Sequence, residues 1–232
     1  NDKYPNIDYA DIHQYIAKDA DPVHFRDTAL ATYDLGMLYG ALESGSSKPT
    51  IRGETGLIEF KANTGSLADL SSDAQGIWLH NLIWGGINPT GLIENYWYAE
   101  DHIYDSMDLR YQFKNYYTFI KDVPLNNGNY VDASAIVSNP KLRAWGQKDL
   151  TNQKVHLWIA NTDHTWANTG PVASISGMVS IDGFTAETDF SVEWWNTYTG
   201  ETTYSQTLST DQNGRLTLAI SDLTTDLAVK IT

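Results

Sequence analysis

One glutamate, Glu54, has neighbours that favour chemistry. It follows a short strand-like run over residues 48–53, and Gly53 and Gly56 on either side leave room for backbone or ligand to come close. We expect a strand that delivers Glu54 into a glycine-flanked turn. The C-terminal end of a buried strand is where (β/α) barrels keep their catalytic groups. The alternative is that Glu54 is a solvated turn residue, which is the commoner reading of an isolated Glu-x-Gly.

The composition limits the ligands that the protein can take. The 232 residues include 29 acidic and 15 basic side chains, a net charge of −14. This charge argues against nucleic acid or an anionic membrane as partner and favours a neutral polymer or a neutral or cationic small ligand. Aromatic residues make up 12% of the chain, which suits either stacking on sugar rings or the core of a β-sandwich.

Several classes of site are not expected. There is no cysteine, so a disulfide framework and a thiolate metal site are excluded. The six histidines are scattered without an HExxH pattern, and we expect no metal and no cofactor. No apolar run reaches the roughly 18 residues that a membrane-spanning helix needs. The chain starts at Asn1, and we expect it to be a processed product or a fragment.

The first half, residues 1–124, alternates strand-like and helical stretches. Asp21 and Pro22 are a helix N-cap and first helical residue, and the apolar spacing predicts one helix from there to about Gly45. We expect Asp73 or Ser72 to be the N-cap of the following helix. The predicted order is a strand at 7–16, the helix after Asp21, the Glu54 strand, a helix at 74–85, a strand at 91–98 and a helix at 109–121. A β-α-β-α-β-α order predicts parallel strands with helical crossovers.

The second half, residues 125–232, reads as an antiparallel β-sandwich with an immunoglobulin-like strand spacing. We expect a type I′ hairpin at Asn213-Gly214 and a second turn at Thr199-Gly200. The predicted strands are 129–137, 141–147, 153–161, 172–181, 189–196, 201–209, 214–221 and 226–231. The fold class is therefore α/β plus all-β.

The strand ends of the first half resemble a known family. Residues 11–15, 49–56, 77–85 and 94–98 are similar to the last three βα units, strands six to eight, of a clan A retaining glycoside hydrolase of the group around family five. The second half resembles the β-sandwich that follows such (β/α)₈ TIM barrels, on residues 143–146, 156–161, 164–166 and 193–200. The resemblance implies the C-terminal portion of a barrel followed by a β-sandwich.

The resemblance also assigns roles. It makes Glu54 the nucleophile. His13 and Tyr15, which share one strand face, would position the Glu54 carboxylate. Trp97 would form the bottom of the subsite that binds the sugar to be cleaved. Glu100 follows strand eight and is a further candidate for touching substrate. The alternatives are that Trp97 is ordinary core packing and that His13 and Tyr15 are hydrogen-bonded structural groups.

The family's acid/base is not in this sequence. It belongs to an Asn-Glu pair on strand four, and the chain has no Asn-Glu dipeptide. We expect the acid/base and strands one to five to come from a missing N-terminal half of the barrel, in the same or a separate chain. In the alternative, Glu54 pairs with Glu100 or Asp101 at a wider separation, with inversion.

The sequence thus predicts a secreted, extracellular retaining glycoside hydrolase, cellulase- or β-glycanase-like, that cleaves a polysaccharide or oligosaccharide of β-linked sugars. The alternative is a non-catalytic carbohydrate-binding or structural module of an extracellular glycan-processing assembly. His80, Trp78 and Trp84 are expected to be structural residues of one helix. Trp194 and Trp195 are expected on opposite faces of a strand, one in the sandwich core and one outside.

Overall fold

The computed structural model describes residues 6, 8–39, 50–58, 73–87, 92–94 and 107–232. The chain divides into two compact units. One comprises Asn1–Gln112 with Thr165–Ala167, and the other comprises Phe113–His164 with Asn168–Thr232. The domain limits predicted from the sequence, 1–124 and 125–232, stay a prediction.

The first unit contains a parallel sheet of three described strands in the order β1-β2-β3. These are β1 (Ala10–Ala17), β2 (Thr50–Ile58) and β3 (Leu92–Glu94). β2 pairs in parallel with both neighbours, as the alternation of strands and helices predicted. The three described strands do not close into a barrel.

The helix predicted from Asp21 onward is two helices, α1 (Pro22–Arg26) and α2 (Thr28–Tyr39). The predicted cap is confirmed, since the Asp21 side chain accepts a hydrogen bond from the His24 N–H at 3.3 Å. A single long helix was wrong because Asp27 acts as a second cap. Its carboxylate accepts from the Leu30 N–H at 3.0 Å, which starts a new helix after α1 has ended.

The helix α3 (Ile77–Gly85) packs closely on α2. Thr28 and Thr32 of α2 donate side-chain hydrogen bonds to carbonyls of α3, at 2.7 and 3.1 Å. Gly85 lies against the backbone of Ala29, where a Cβ would find no room. α3 begins at Ile77 rather than 74, and its N-cap is Gly76, so the cap predicted at Asp73 was wrong. The Asp73 carboxylate still contacts the first turn by accepting from the Trp78 N–H at 3.0 Å. His80, Trp78 and Trp84 are all buried within α3.

The second unit has two antiparallel sheets around one apolar core. A six-stranded sheet has the order β10-β9-β12-β7-β6-β4, and a three-stranded sheet has the order β11-β8-β5. The strands are β4 (Val131–Asp132), β5 (Ile136–Val137), β6 (Leu142–Asp149), β7 (Lys154–Asn161), β8 (Ile175–Asp182), β9 (Asp189–Asn196), β10 (Glu201–Ser209), β11 (Arg215–Leu223) and β12 (Asp226–Ile231).

Seven of the eight predicted strands of the sandwich coincide with one strand each. The eighth, 129–137, is instead β4 and β5, which lie in different sheets and are separated by Ser134 at φ +50°. The hairpin predicted at Asn213-Gly214 was wrong, because it joins β10 and β11 of different sheets. The turn at Thr199-Gly200 does join paired strands, β9 and β10, with Gly200 at φ +69°.

Helix α4 (Tyr111–Ile120) occupies the predicted region 109–121. In the second unit its Phe119 ring meets Trp195 edge to face at 5.6 Å. Trp194 belongs to the sandwich core, so the two tryptophans point to opposite faces of β9, as predicted. Within the described part of the chain, no helix is long and apolar enough to cross a membrane.

A buried histidine makes the second unit sensitive to acid. The side chain of His156 in β7 is 1% exposed. Its partner in the antiparallel pairing of β7 with β12 is Lys230. Burial, followed by the charge of Lys230, lowers the pKa of His156 from 6.5 to about 3. Between pH 6.5 and pH 3, the His156 imidazole is protonated in the unfolded chain but neutral in the folded chain. The free energy of unfolding therefore falls as the pH falls. The loss approaches about 1.4 kcal/mol for each pH unit below 6.5.

We expect His156→Leu to remove this acid sensitivity. Urea unfolding followed by tryptophan fluorescence at pH 7.5 and pH 4.5 measures it. The wild-type chain should lose about 2.7 kcal/mol more than the variant between the two pH values, because pH 4.5 lies two units below the ordinary pKa of 6.5. Equal losses in both proteins would show that His156 is already protonated in the folded state.

Candidate active site

The candidate site lies on the paired strands β1 and β2, where an extra residue interrupts the register. Ile12 pairs with Arg52, but the next residue, His13, pairs with Glu54. Gly53 is therefore a bulge on β2. Glu54 lies inside a strand that continues to Ile58, so the glycine-flanked turn expected from the sequence was wrong.

The bulge changes the face to which β2 side chains point. Residues two apart in a regular strand share a face, yet Arg52 and Glu54 contact different groups. Arg52 bonds to Thr32 of α2, so its side chain lies on the helix-covered face. Glu54 contacts Tyr15 and His13, whose neighbour Gln14 also bonds to α2. The bulge at Gly53 thus places one carboxylate on the face opposite to α2.

Two side chains of β1 converge on one oxygen of Glu54. The Tyr15 hydroxyl donates a hydrogen bond to Glu54 Oε2. The His13 ring places Nδ1 at 3.5 Å from the same oxygen. Both partners were singled out from the sequence, and the strand alternation that put them on one face explains why they meet one carboxylate.

Asp11 fixes the bulge from the neighbouring strand. Its Oδ1 accepts a hydrogen bond from the Gly53 N–H at 3.0 Å, and its Oδ2 lies 3.8 Å from His13 Nε2. A Cβ at residue 53 would fall within 3 Å of the Asp11 carboxylate. Glycine is therefore required here to let the carboxylate reach the backbone.

A polar network lies on the other face of β1 and β2, the face that α2 covers. The buried Arg52 guanidinium donates to Gln14 Oε1 at 2.6 Å and to the Thr32 hydroxyl at 3.1 Å. Thr32 in turn donates to the Leu82 carbonyl of α3. This network connects β1 and β2, the strands that carry the site, to the two helices.

The arrangement presents a reachable, oriented carboxylate. The Glu54 side chain is 38% exposed, so a ligand can approach it. Its contacts in the described part of the chain go to Oε2, which leaves Oε1 for another group. A carboxylate held through one oxygen by a phenol is suited to nucleophilic attack or to charge stabilisation through the other.

Three candidates from the sequence cannot be compared with the structure. Trp97, Glu100 and Asp101 are outside the described residues. Sequence reasoning assigned no role to Asp11 or Arg52, although a glycine inside a strand is a usual signal of a bulge and could have pointed to Asp11. Among the described residues, no group of three or more His, Cys, Asp and Glu side chains is placed to hold a metal ion.

Comparison with known proteins gives matches among solved structures. No family model matches the sequence. No curated protein matches it either. A glycoside hydrolase of family 5 from Bacteroides vulgatus is similar over 87% of this chain and 45% of its own, with a TM-score of 0.52 at 10% identity. A second structure, described as a glycoside hydrolase, is similar over 87% of this chain and 46% of its own, with a TM-score of 0.51 at 10% identity.

At this identity the likeness concerns the fold. The chain has a fold found in glycoside hydrolases, which confirms the resemblance seen in the sequence at that level. The chain spans less than half the length of these two solved structures.

Proposed function

We propose that this chain is part of a retaining glycoside hydrolase of the clan A type and that Glu54 is its nucleophile. The observation that carries the proposal is the convergence of Tyr15 and His13 on one oxygen of Glu54, on the face of the parallel sheet opposite to α2. The likeness in fold to solved glycoside hydrolases supports it. The three strands are then strands six to eight of a (β/α)₈ barrel.

The proposed chemistry needs an ionised carboxylate beside the anomeric carbon. Glu54 attacks this carbon and forms a glycosyl ester while the bond to the leaving oxygen breaks. The Tyr15 hydroxyl orients the carboxylate by its hydrogen bond, and water later releases the sugar. Retention also requires a second, protonated carboxyl about 5–5.5 Å away. We place that group outside these 232 residues, in keeping with the absence of an Asn-Glu pair and with a chain that spans 45% of the family 5 structure.

The proposed substrate is a polysaccharide of β-linked sugars, and the proposed location is extracellular. A net charge of −14 is compatible with a neutral polymer and unfavourable for a polyanion. Substrate class and location rest on the family resemblance.

A covalent label tests the nucleophile without its acid/base partner. 2,4-Dinitrophenyl 2-deoxy-2-fluoro-β-cellobioside carries a leaving group that departs as a stable anion and needs no proton. Attack by Glu54 should release dinitrophenolate and increase the protein mass by one fluoroglycosyl group, which peptide mapping locates at residue 54. Failure to label, or labelling at another carboxylate, would overturn the assignment and favour a non-catalytic module or an inverting site.

Removing the Tyr15 hydroxyl should slow this labelling. Tyr15→Phe keeps the ring and deletes one hydrogen bond to a charged group, which is worth about 1.5–3 kcal/mol. We expect the rate of label incorporation to fall by about ten- to hundredfold. The matched control is Tyr117→Phe, an exposed tyrosine of α4, which should label at the wild-type rate. A Tyr15→Phe variant that labels at the wild-type rate would show that the hydroxyl is a structural group only.

A further inference from the structure

A cavity of about 400 Å³ opens at one edge of the β-sandwich, within the second unit. Its lining comes from β9, β10, β11 and the start of β12. β10 is one of the two edge strands of the six-stranded sheet, and β11 is one of the two edge strands of the three-stranded sheet. The cavity therefore lies at the open mouth between the two sheets, where no strand continues the wall. Its volume is within the range of about 300–1,000 Å³ that small-ligand sites occupy.

Two stacked aromatic rings form one wall. Trp194 and Tyr204 lie 5.4 Å apart between ring centroids, with their planes only 13° from parallel. Trp194 is 3% exposed and anchored in the sandwich core, whereas Tyr204 is 52% exposed. The core residue fixes the orientation of the outer ring. A large aromatic ring that is held rigid and left half in solvent is suited to contact with the apolar face of a sugar ring.

Polar groups surround these rings without a local excess of positive charge. Asn196, Thr203, Ser221 and Thr225 line the cavity and offer amide and hydroxyl groups. The one charged residue in the lining is Asp226, whose carboxylate accepts a hydrogen bond from the Trp158 indole. Among the described residues of the lining there is no lysine or arginine. An anionic ligand would find no counter-charge here and would meet a carboxylate.

One residue of this wall, Trp194, has a buried hydrogen-bond donor without an acceptor among the described residues. This donor is the indole Nε1. A buried N–H without an acceptor costs about 1–3 kcal/mol, so such groups are rare. Trp194 is also one of the residues that line the cavity.

We propose that this cavity binds a short segment of a neutral oligosaccharide, with one sugar ring against Tyr204 and hydroxyl groups bonded to the polar lining. The stacked aromatic wall, the amide and hydroxyl groups and the absence of a cationic side chain in the described lining select a neutral, hydroxyl-rich ligand over an anionic or a purely apolar one. This site is separate from Glu54, and its existence does not depend on the chain being a hydrolase.

Isothermal titration of the whole chain with cellohexaose, xylohexaose and mannohexaose tests the proposal, and hexagalacturonate serves as the anionic counterpart. We expect at least one neutral hexasaccharide to bind and hexagalacturonate not to bind. Tyr204→Ala should weaken that binding by about tenfold, the loss expected for one stacked ring. Tyr204→Phe should retain it. Tyr117→Ala, which removes an exposed tyrosine outside the cavity, is the matched control and should bind as the wild type does.

A second variant tests whether the ligand occupies the cavity itself, because Tyr204→Ala would also weaken binding if it disturbed the surrounding structure. Ser221→Trp adds bulk to the cavity from the β11 side and should abolish binding while the thermal unfolding midpoint stays near that of the wild type. Absence of binding by every neutral hexasaccharide, equal affinity of Tyr204→Ala and wild type, or preference for hexagalacturonate would each overturn the proposal.

Discussion

Glu54→Gln is expected to lower the rate at which 2,4-dinitrophenyl β-cellobioside releases dinitrophenolate by about a million-fold, the scale of loss seen when a catalytic nucleophile is removed. Glutamine preserves the shape of the side chain and can still accept a hydrogen bond from Tyr15. It lacks the negative charge that attack on the anomeric carbon requires. The activated leaving group needs no proton, so the first step, read as the release of dinitrophenolate, does not depend on the acid/base residue that we place outside this chain.

The fold should tolerate this substitution. The Glu54 side chain is 38% exposed, and its described contacts are to two side chains of β1 rather than to the core. We expect the circular dichroism spectrum and the unfolding midpoint to be those of the wild type. Glu201→Gln, at an exposed position that begins β10, is the matched control and should leave turnover unchanged. Turnover by Glu54→Gln within tenfold of the wild type would remove Glu54 from the chemistry.

The fold was largely predictable because its elements follow simple periodicities. Alternating apolar residues located seven of the eight predicted sandwich strands, and Asp21-Pro22 located the start of α1. The failures have two causes: a second local signal inside a longer pattern, and pairing partners far away in the chain. Asp27 looks like one more residue of a helix until its carboxylate is seen to cap α2. Asn213-Gly214 is a strong hairpin signal, but the strands on either side pair with β9 and β8 instead of each other.

The candidate site could be predicted from the sequence only in part. Strand alternation predicted that His13 and Tyr15 share a face, and both contact Glu54. The face on which Glu54 lies could not be derived from its own strand. Counting from Arg52, which bonds to α2, regular alternation would have pointed Glu54 at the helices as well. Only the bulge at Gly53 reverses this, and a bulge is defined by the register with a partner strand about forty residues earlier.

Gly53→Ala should therefore reduce catalysis strongly at a small cost in stability. The new Cβ would fall within 3 Å of the Asp11 carboxylate, which is half exposed and can swing away. The Gly53 N–H then loses its acceptor, a loss of about 1 kcal/mol in the free energy of unfolding. The bulge loses the contact that fixes it, and Glu54 moves relative to the sugar. Because a misplacement of about 1 Å can cost a hundredfold in rate, we expect kcat/KM on the activated glycoside to fall by about that factor.

A double-mutant cycle separates this mechanism from simple crowding. Asp11→Ala removes the same hydrogen bond from the other side and should reproduce the loss in kcat/KM. If Gly53→Ala acts by expelling Asp11, the double variant should be no worse than either single variant, because the shared contact can be lost only once. Gly170→Ala is the matched glycine control, since its Cβ would meet nothing closer than 3.5 Å. Additive losses in the double variant would mean that Asp11 and Gly53 act independently, and the clamp on the bulge would then have no part in orienting Glu54.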